Sequence, residues 1–306
     1  MTLEIYQIAI LISIGALVGI SISFIGQTGL GIVLPIILLL TGDVFLAIAI
    51  NLLNDLITSA AVSIGYLRKK QFKIRVDTLI IMIISVFVSF FGVFILMTTP
   101  LGNVFGWFIP IFTIILGLTF LKRGFPTYES VKKMAQNLAR KTVRVKSEEK
   151  LTALDEKIDE QLASKTDIIQ GFISSGSRLF YLIAIIFGLF VGLNSGLFGG
   201  SSGLIFVLSL VILYGYPLKK GVGTALILSM IISLCTFSFY QFFGITIKGR
   251  FFFNFELSFY LALGSIISGI IASTYIQKLS AKTMGRAVGF VISVLGTLAL
   301  IFYFIH

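Results

Sequence analysis

Asp55 lies inside an otherwise uncharged apolar run, Val44 to Leu67, with Asn51 and Asn54 in the turn before it. A charged side chain at mid-membrane costs on the order of 3 kcal/mol or more, so such a residue needs a reason to be there. One reason is chemistry: Asp55, with Asn51 and Asn54 beside it, could couple transport to a proton or another cation. The other is structural, a neutral hydrogen-bonded contact between helices. Asp55→Asn separates the two, because a coupling role requires the pH dependence of uptake to change.

A second set of residues is rich in glycine and hydroxyls. Gly19 to Gly31 reads GISISFIGQTGLG and Gly192 to Gly203 reads GLNSGLFGGSSG, each followed by a short apolar run, Ile32 to Leu40 and Leu204 to Leu213. A helix that restarts after such a break presents N–H groups without intrahelical partners, and its dipole there resembles about half a positive charge. An anion is the natural guest. Thr28, and Ser201 with Ser202, precede the restarts in positions suited to N-caps, where their hydroxyls can also meet ligand oxygens. Gly26, Gly29, Gly31, Gly199, Gly200 and Gly203 would let backbone approach a ligand closely. Gln27 and Asn194 bring amides to the same two places, and Pro35 is tolerated if it falls in the first turn of the restarted helix. The plain alternative is that glycine and serine serve close helix packing. Further polar residues in the runs are Ser195, Thr224, Ser229, Ser233, Tyr240 and Gln241.

Several other chemistries find no residues. His306 is the single histidine and the last residue, which leaves serine–histidine catalysis and histidine metal ligation unsupported. Asn194-Ser195-Gly196 resembles a nucleophile turn but has no base to serve it. Neither a phosphate-binding GxxxxGK[ST] loop nor a dinucleotide fingerprint occurs. Cys235 is the only cysteine and sits in an apolar run, so no disulfide framework can form. The chain is expected to be no enzyme and to hold neither cofactor nor metal.

The elements that must position these residues are membrane helices. Of the 306 residues 57% are hydrophobic and 12% charged, about half the charged share of an ordinary soluble domain. Runs long enough to cross about 30 Å of hydrocarbon are Ile5 to Ile25, Val44 to Leu67, Thr78 to Met97, Gly102 to Leu121, Val222 to Phe243, Glu256 to Ile276 and Met284 to Phe304. They are apolar on every side, unlike barrel strands. The N-terminus lacks the basic residues and cleavage site of a removable signal, so the first span is expected to be permanent. A net charge of +11 would suggest nucleic acid in a soluble protein, but here the basic residues gather between spans, and no nucleic acid partner is expected.

Between the spans the charged segment 122–178 divides the chain into a first membrane part, 1–121, and a second, 179–306. The segment reads as two amphipathic helices, one basic around Val131, Met134 and Leu138, one acidic around Leu151, Leu154, Ile158 and Leu162. Gly26 and Gly199 are separated by the same offset as Gly42 and Gly215, which points to duplication. The short runs are about 15 Å long as helices, half a bilayer, and irregular backbone at that depth is tolerated where it is buried in protein or lines a cavity. Counting each as a segment gives five per half. Arg68, Lys69, Lys70, Lys73, Arg75, Lys219, Lys220, Lys278, Lys282 and Arg286 then fall on the cytoplasmic side with the insert, and Lys248 and Arg250 on the other. An odd number per half makes the repeats inverted. The expected fold is therefore all-α and polytopic, two inverted repeats of about five helical segments with short helices at the glycine-rich breaks, in the cytoplasmic membrane with both termini outside.

The spacing of glycines from Gly19 to Gly31, then Pro35, Thr41-Gly42 and Ala47-Ile48-Ala49-Ile50-Asn51, resembles the TauE/SafE family of sulfite exporters. The second half repeats it in GLNSGLFGGSSG, Gly215-Tyr216-Pro217 and Gly221-Val222-Gly223-Thr224-Ala225. The resemblance covers both membrane parts and not the insert. It implies a secondary carrier for a small sulfur-containing anion such as sulfite, thiosulfate, a sulfonate or sulfoacetate; with the paired breaks and Asp55, the expected mechanism is alternating access coupled to protons. The family's glycine-rich motifs fall here on Gly26, Gly29 and Gly31 and on Gly199, Gly200 and Gly203. Expected partners are that anion and the lipid bilayer, with a homodimer left open. Two other classes stay in play: a channel or cation conductor through Asp55, and a membrane-bound sensing module acting through the insert.

Overall fold

The computed structural model describes residues 4–26, 33–99, 178–200, 203–214 and 216–275, with scattered helical positions between 111 and 122 and between 283 and 297. Gln27, Thr28, Gly29, Gly31, Ser201, Ser202 and residues 123–177 of the insert lie outside the described residues. The expected spans Gly102 to Leu121 and Met284 to Phe304 are described only at scattered positions.

Eight helices have defined bounds: α1 (Ile5–Ile25), α2 (Val33–Thr41), α3 (Val44–Arg68), α4 (Val76–Thr98), α5 (Arg178–Phe198), α6 (Gly203–Tyr214), α7 (Leu218–Lys248) and α8 (Phe255–Tyr275). The described residues contain no strand. In hydrocarbon a backbone must bond to itself, and a helix does so within one segment. Residues 5–24, 44–68, 78–98, 219–248 and 255–275 are long and apolar enough to cross a bilayer, and Ala184–Phe198 is a shorter apolar stretch. This is a multi-pass membrane protein. Large side chains such as Ile83, Phe87, Phe190, Phe242, Ile267 and Ile271 are exposed around its outside, where lipid would cover them.

Helices α2 and α6 have 9 and 12 residues, about 14 and 18 Å long. Both are too short to span, as their sequences indicate. Pro35 falls in the first turn of α2, where its missing N–H costs no intrahelical bond. The span expected over Val222 to Phe243 is longer than its apolar run, extending through Lys219, Lys220 and Lys248, because basic side chains can sit at the ends of a helix that outreaches the hydrocarbon.

Two interfaces are built on small residues. Gly15 and Gly19 of α1 press on the Leu261 and Ser265 carbonyls of α8, while Gly264 presses back on the Ile12 carbonyl. Gly188, Gly192 and Gly196 of α5 meet the Ile81, Ser85 and Ser89 carbonyls of α4. Without water to drive association, such close approach supplies dispersion and polar contacts that lipid tails cannot match. Hydroxyls add bonds across both: Ser23 donates to the Gly269 carbonyl at 2.8 Å, and Ser85 to that of Gly188 at 3.1 Å. The first helix of each membrane part therefore packs on the fourth helix of the other. Gly15, Gly19 and Ser23 differ from Gly188, Gly192 and Gly196 by the same sequence offset that relates Gly26 to Gly199.

Helices α3 and α7 form the centre and run antiparallel. At one end Asp43, just before α3, pairs with Arg250, just after α7, at 2.7 Å, and the Phe45 and Phe252 rings lie 5.4 Å apart. At the other end the Lys73 amide donates to Thr224 Oγ1 at 2.9 Å, the Tyr216 hydroxyl donates to the Lys73 carbonyl at 3.0 Å, and Gly223 presses on the Gln71 carbonyl. The loop after α3 and the turn before α7 thus share one end, in keeping with their basic residues, and Arg250 lies at the opposite end.

Candidate functional site

A membrane helix stops where its backbone turns left-handed. Gly26 has φ +63° and its N–H donates to the Ile22 carbonyl at 2.8 Å, closing the last turn of α1. Gly199 has the same φ, and its N–H donates to the Ser195 carbonyl at 3.0 Å, closing α5. Only glycine adopts this conformation without a Cβ penalty. The next carbonyl in each helix receives a tyrosine hydroxyl: Tyr66 donates to Ser23 O and Tyr240 to Gly196 O, both at 2.8 Å.

The two breaks meet. Gly203, the first residue of α6, lies against the Gly26 carbonyl so closely that any side chain there would collide with it. Gly26 itself faces Val207 of α6 and Val222 and Ala225 of α7. Gly199 packs on Ile48 of α3, and one turn further along α3 the Asn51 amide Nδ2 donates to the Gly199 carbonyl at 2.7 Å. Each break is therefore enclosed partly by elements of the other membrane part. The first N–H groups of α6, which have no partner within the helix, give this place a positive potential.

From Asn51 a polar stripe runs along α3. Asn51, Asn54, Asp55 and Thr58 have the i, i+3, i+4, i+7 spacing of one helix face, and all four are at most 1% exposed. The stripe is met by Ser265 of α8, whose hydroxyl donates to Asn54 Oδ1 at 2.9 Å and lies 2.7 Å from Thr58 Oγ1. Two atoms of the stripe, the acceptor Asn51 Oδ1 and the donor Asn54 Nδ2, are buried without a hydrogen-bond partner, as is Ser233 Oγ of α7. Such atoms cost about 1–3 kcal/mol each when nothing bonds them. On the α5 side Thr236 links Ser195 and Ser89 through hydroxyl contacts of 3.1 Å each.

Among the expected residues, Gly26, Gly199, Gly203 and Asn51 come together. Asn54 and Asp55 lie about one turn along α3, towards α8. Gly200 is buried beside Gly199, and Asn194 is half-buried in the second-last turn of α5. Tyr66, Thr58, Ser265, Ser89 and Thr236 were not singled out from sequence. Tyr66 and Tyr240 stand equally far from the starts of α3 and α7, but the sequence offset that relates Gly26 to Gly199 pairs Tyr66 with Phe239, so only the structure shows them as a pair. A groove of about 580 Å³ between α4 and α7, lined by Phe87, Phe90, Phe91, Phe239, Cys235 and aliphatic side chains, has almost no polar surface and offers an anion nothing to bind.

The family model described as Sulfite exporter TauE/SafE matches residues 11–298. No match was found among the curated proteins or among the solved structures compared with this chain.

Proposed function

We propose, from the premise that this chain belongs to the sulfite exporter TauE/SafE family, that it is a secondary carrier for a small sulfur-containing anion, with its site where the two helix breaks meet. Transporters of this kind do no covalent chemistry, so the residues have only to bind, release and couple. The observation that carries the reading is the contact of Gly203 with the Gly26 carbonyl, together with the Asn51 bond to Gly199. A small oxyanion needs donors and close backbone, and in this reading the first N–H groups of α2 and α6 supply the donors without a buried cation; among the described residues no lysine or arginine is buried.

The inverted repeat is part of the proposal. Antiparallel α3 and α7, and first helices that each pack on the other part's fourth, are what a twofold axis in the membrane plane would produce. Rocking of one part against the other would then expose the breaks to either side in turn. Gln27, Thr28, Gly29, Gly31, Ser201 and Ser202 complete the site in this reading, the insert 122–178 lies in the cytoplasm, and both termini lie outside.

Coupling is assigned to the α3 stripe. Asp55, with Asn54 beside it, takes up and releases the proton, while the Asn51 amide connects this face of α3 to the Gly199 carbonyl. Purified protein in vesicles loaded with sulfite tests both halves of the idea. Wild type should show saturable flux that responds to a pH gradient, and Asp55→Asn should retain exchange of sulfite for sulfite while losing the response to pH. Linear, unsaturable flux would favour a channel, and undiminished pH-dependent flux in the variant would remove Asp55 from coupling.

A further inference from the structure

A helix that ends inside a membrane leaves its last carbonyls without intrahelical donors, and lipid offers none. In this protein one such carbonyl in each membrane part is met in the same manner. Ser23 O and Gly196 O each stand three residues before the left-handed glycine, and in a continuing helix would receive the amides of residues 27 and 200. Tyr66 and Tyr240 donate to them at 2.8 Å, and both side chains are wholly buried.

We propose that Tyr66 and Tyr240 are paired positioning residues, each fixing the broken end of one helix and, through it, the backbone that faces the substrate. The proposal rests on the site lying at the breaks. Packing alone does not call for tyrosine here. The chain has 30 phenylalanines and 10 tyrosines, and a buried phenol is costlier than a phenyl ring unless its hydroxyl is bonded. The ring is also well shaped for such a hold, because with two side-chain torsions it loses little freedom on burial and sets its hydroxyl at a fixed reach from the long helix. Each tyrosine sits on the long helix of its own part, so a shift of that helix moves the break that it holds. The holds are unequal. The second break has Tyr240 on Gly196 O and Asn51 on Gly199 O, whereas on the first break the described side-chain donor is Tyr66.

The test uses the full chain with Tyr66→Phe and Tyr240→Phe, which keep the ring and remove the donor. Backbone amide exchange is read by mass spectrometry over peptides containing 22–26 and 195–200, and sulfite flux is read in vesicles. Each variant should speed exchange about tenfold at the break its tyrosine faces and leave the other break unchanged, the factor a single buried hydrogen bond commands. The KM for sulfite should rise several-fold with kcat changed less, more so for Tyr66→Phe. 4-Aminophenylalanine at the same position, which keeps a donor, should restore both readings, and this rescue also decides the matter should a phenylalanine variant fold poorly. Exchange that rises at neither break, or equally at both, overturns the proposal, as does local loosening with KM unmoved. If wild type carries no sulfite, the substrate reading fails while the exchange measurement still decides the tyrosines.

Discussion

The break after α1 and the break after α5 share a left-handed glycine and a carbonyl bonded by tyrosine, yet they differ in the room around them. At Gly199 an added Cβ would strike Ile48, and the carbonyl is already held by Asn51. At Gly26 the nearest atom to such a Cβ is Val207 Cγ2 at 3.3 Å, a side-chain methyl that can shift. At the second break the Gly199 Cα faces the base of Ile48, whereas at the first it is the Gly26 carbonyl, under Gly203 of α6, that leaves no room. The two similar motifs therefore meet the other membrane part through different atoms, a backbone carbonyl at the first and a left-handed Cα at the second.

Glycine substitutions give the largest test of that difference. Gly203→Ala and Gly199→Ala should each cost on the order of 3 kcal/mol and abolish sulfite flux, because their new methyls meet a backbone carbonyl in one case and the base of Ile48 in the other. Gly26→Ala should cost about 1–2 kcal/mol, mostly from the left-handed backbone, and retain some flux. Gly42→Ala, with the same φ but open space around it, provides the baseline for backbone strain alone. Unfolding in detergent ranks the four; equal losses at Gly26 and Gly199 would erase the distinction between the breaks.

A medium effect is expected at Asn51 of α3 and Thr224 of α7, which differ by the same sequence offset as Gly26 and Gly199. Asn51→Leu leaves the Gly199 carbonyl unsatisfied in a buried place, so it should cost about 2 kcal/mol and weaken sulfite binding. Thr224→Val removes bonds to the Lys73 backbone at the end of the helices, and should cost about 1 kcal/mol with binding unchanged. Titration of each variant with sulfite, followed by thermal stability, separates the two outcomes.

The smallest effect lies at the two ends of the α3–α7 pair. Asp43 and Tyr216 are counterparts by the same offset, each in the turn after a short helix, and each reaches the loop after the other part's long helix. One contact is ionic and the other is a neutral hydrogen bond. Arg250 is 57% exposed, so the pair should contribute less than about 1 kcal/mol. Asp43 also accepts from the Phe45 and Leu46 amides as the N-cap of α3, and Asp43→Asn keeps an oxygen for that cap while losing the charge. It should leave stability nearly unchanged and remove the salt dependence of labelling at a cysteine introduced beside Arg250, whereas Tyr216→Phe should alter labelling at a cysteine introduced beside Lys73 without salt dependence.

Much of this protein was legible in its sequence because lipid imposes a simple code. Uncharged runs of sufficient length become helices, so α1 ends at Ile25 as its run indicates; α5, not among the expected spans, continues through Gly192 to Phe198, residues read from sequence as part of the second break, because glycine and serine are tolerated in a helix that packs closely on another. The offset between motifs likewise exposed which residues correspond. Sequence did not reveal Tyr66, Thr58 or Ser265, because a tyrosine, threonine or serine in a membrane run has many uses, and only the neighbour across the interface selects one. Nor did it disclose that Gly203 rests on the Gly26 carbonyl or that Asn51 reaches Gly199. Helix formation depends on residues a few positions apart, which periodicity records; the pairing of distant carbonyls and side chains depends on how helices cross, and that is decided when small residues let one backbone settle against another.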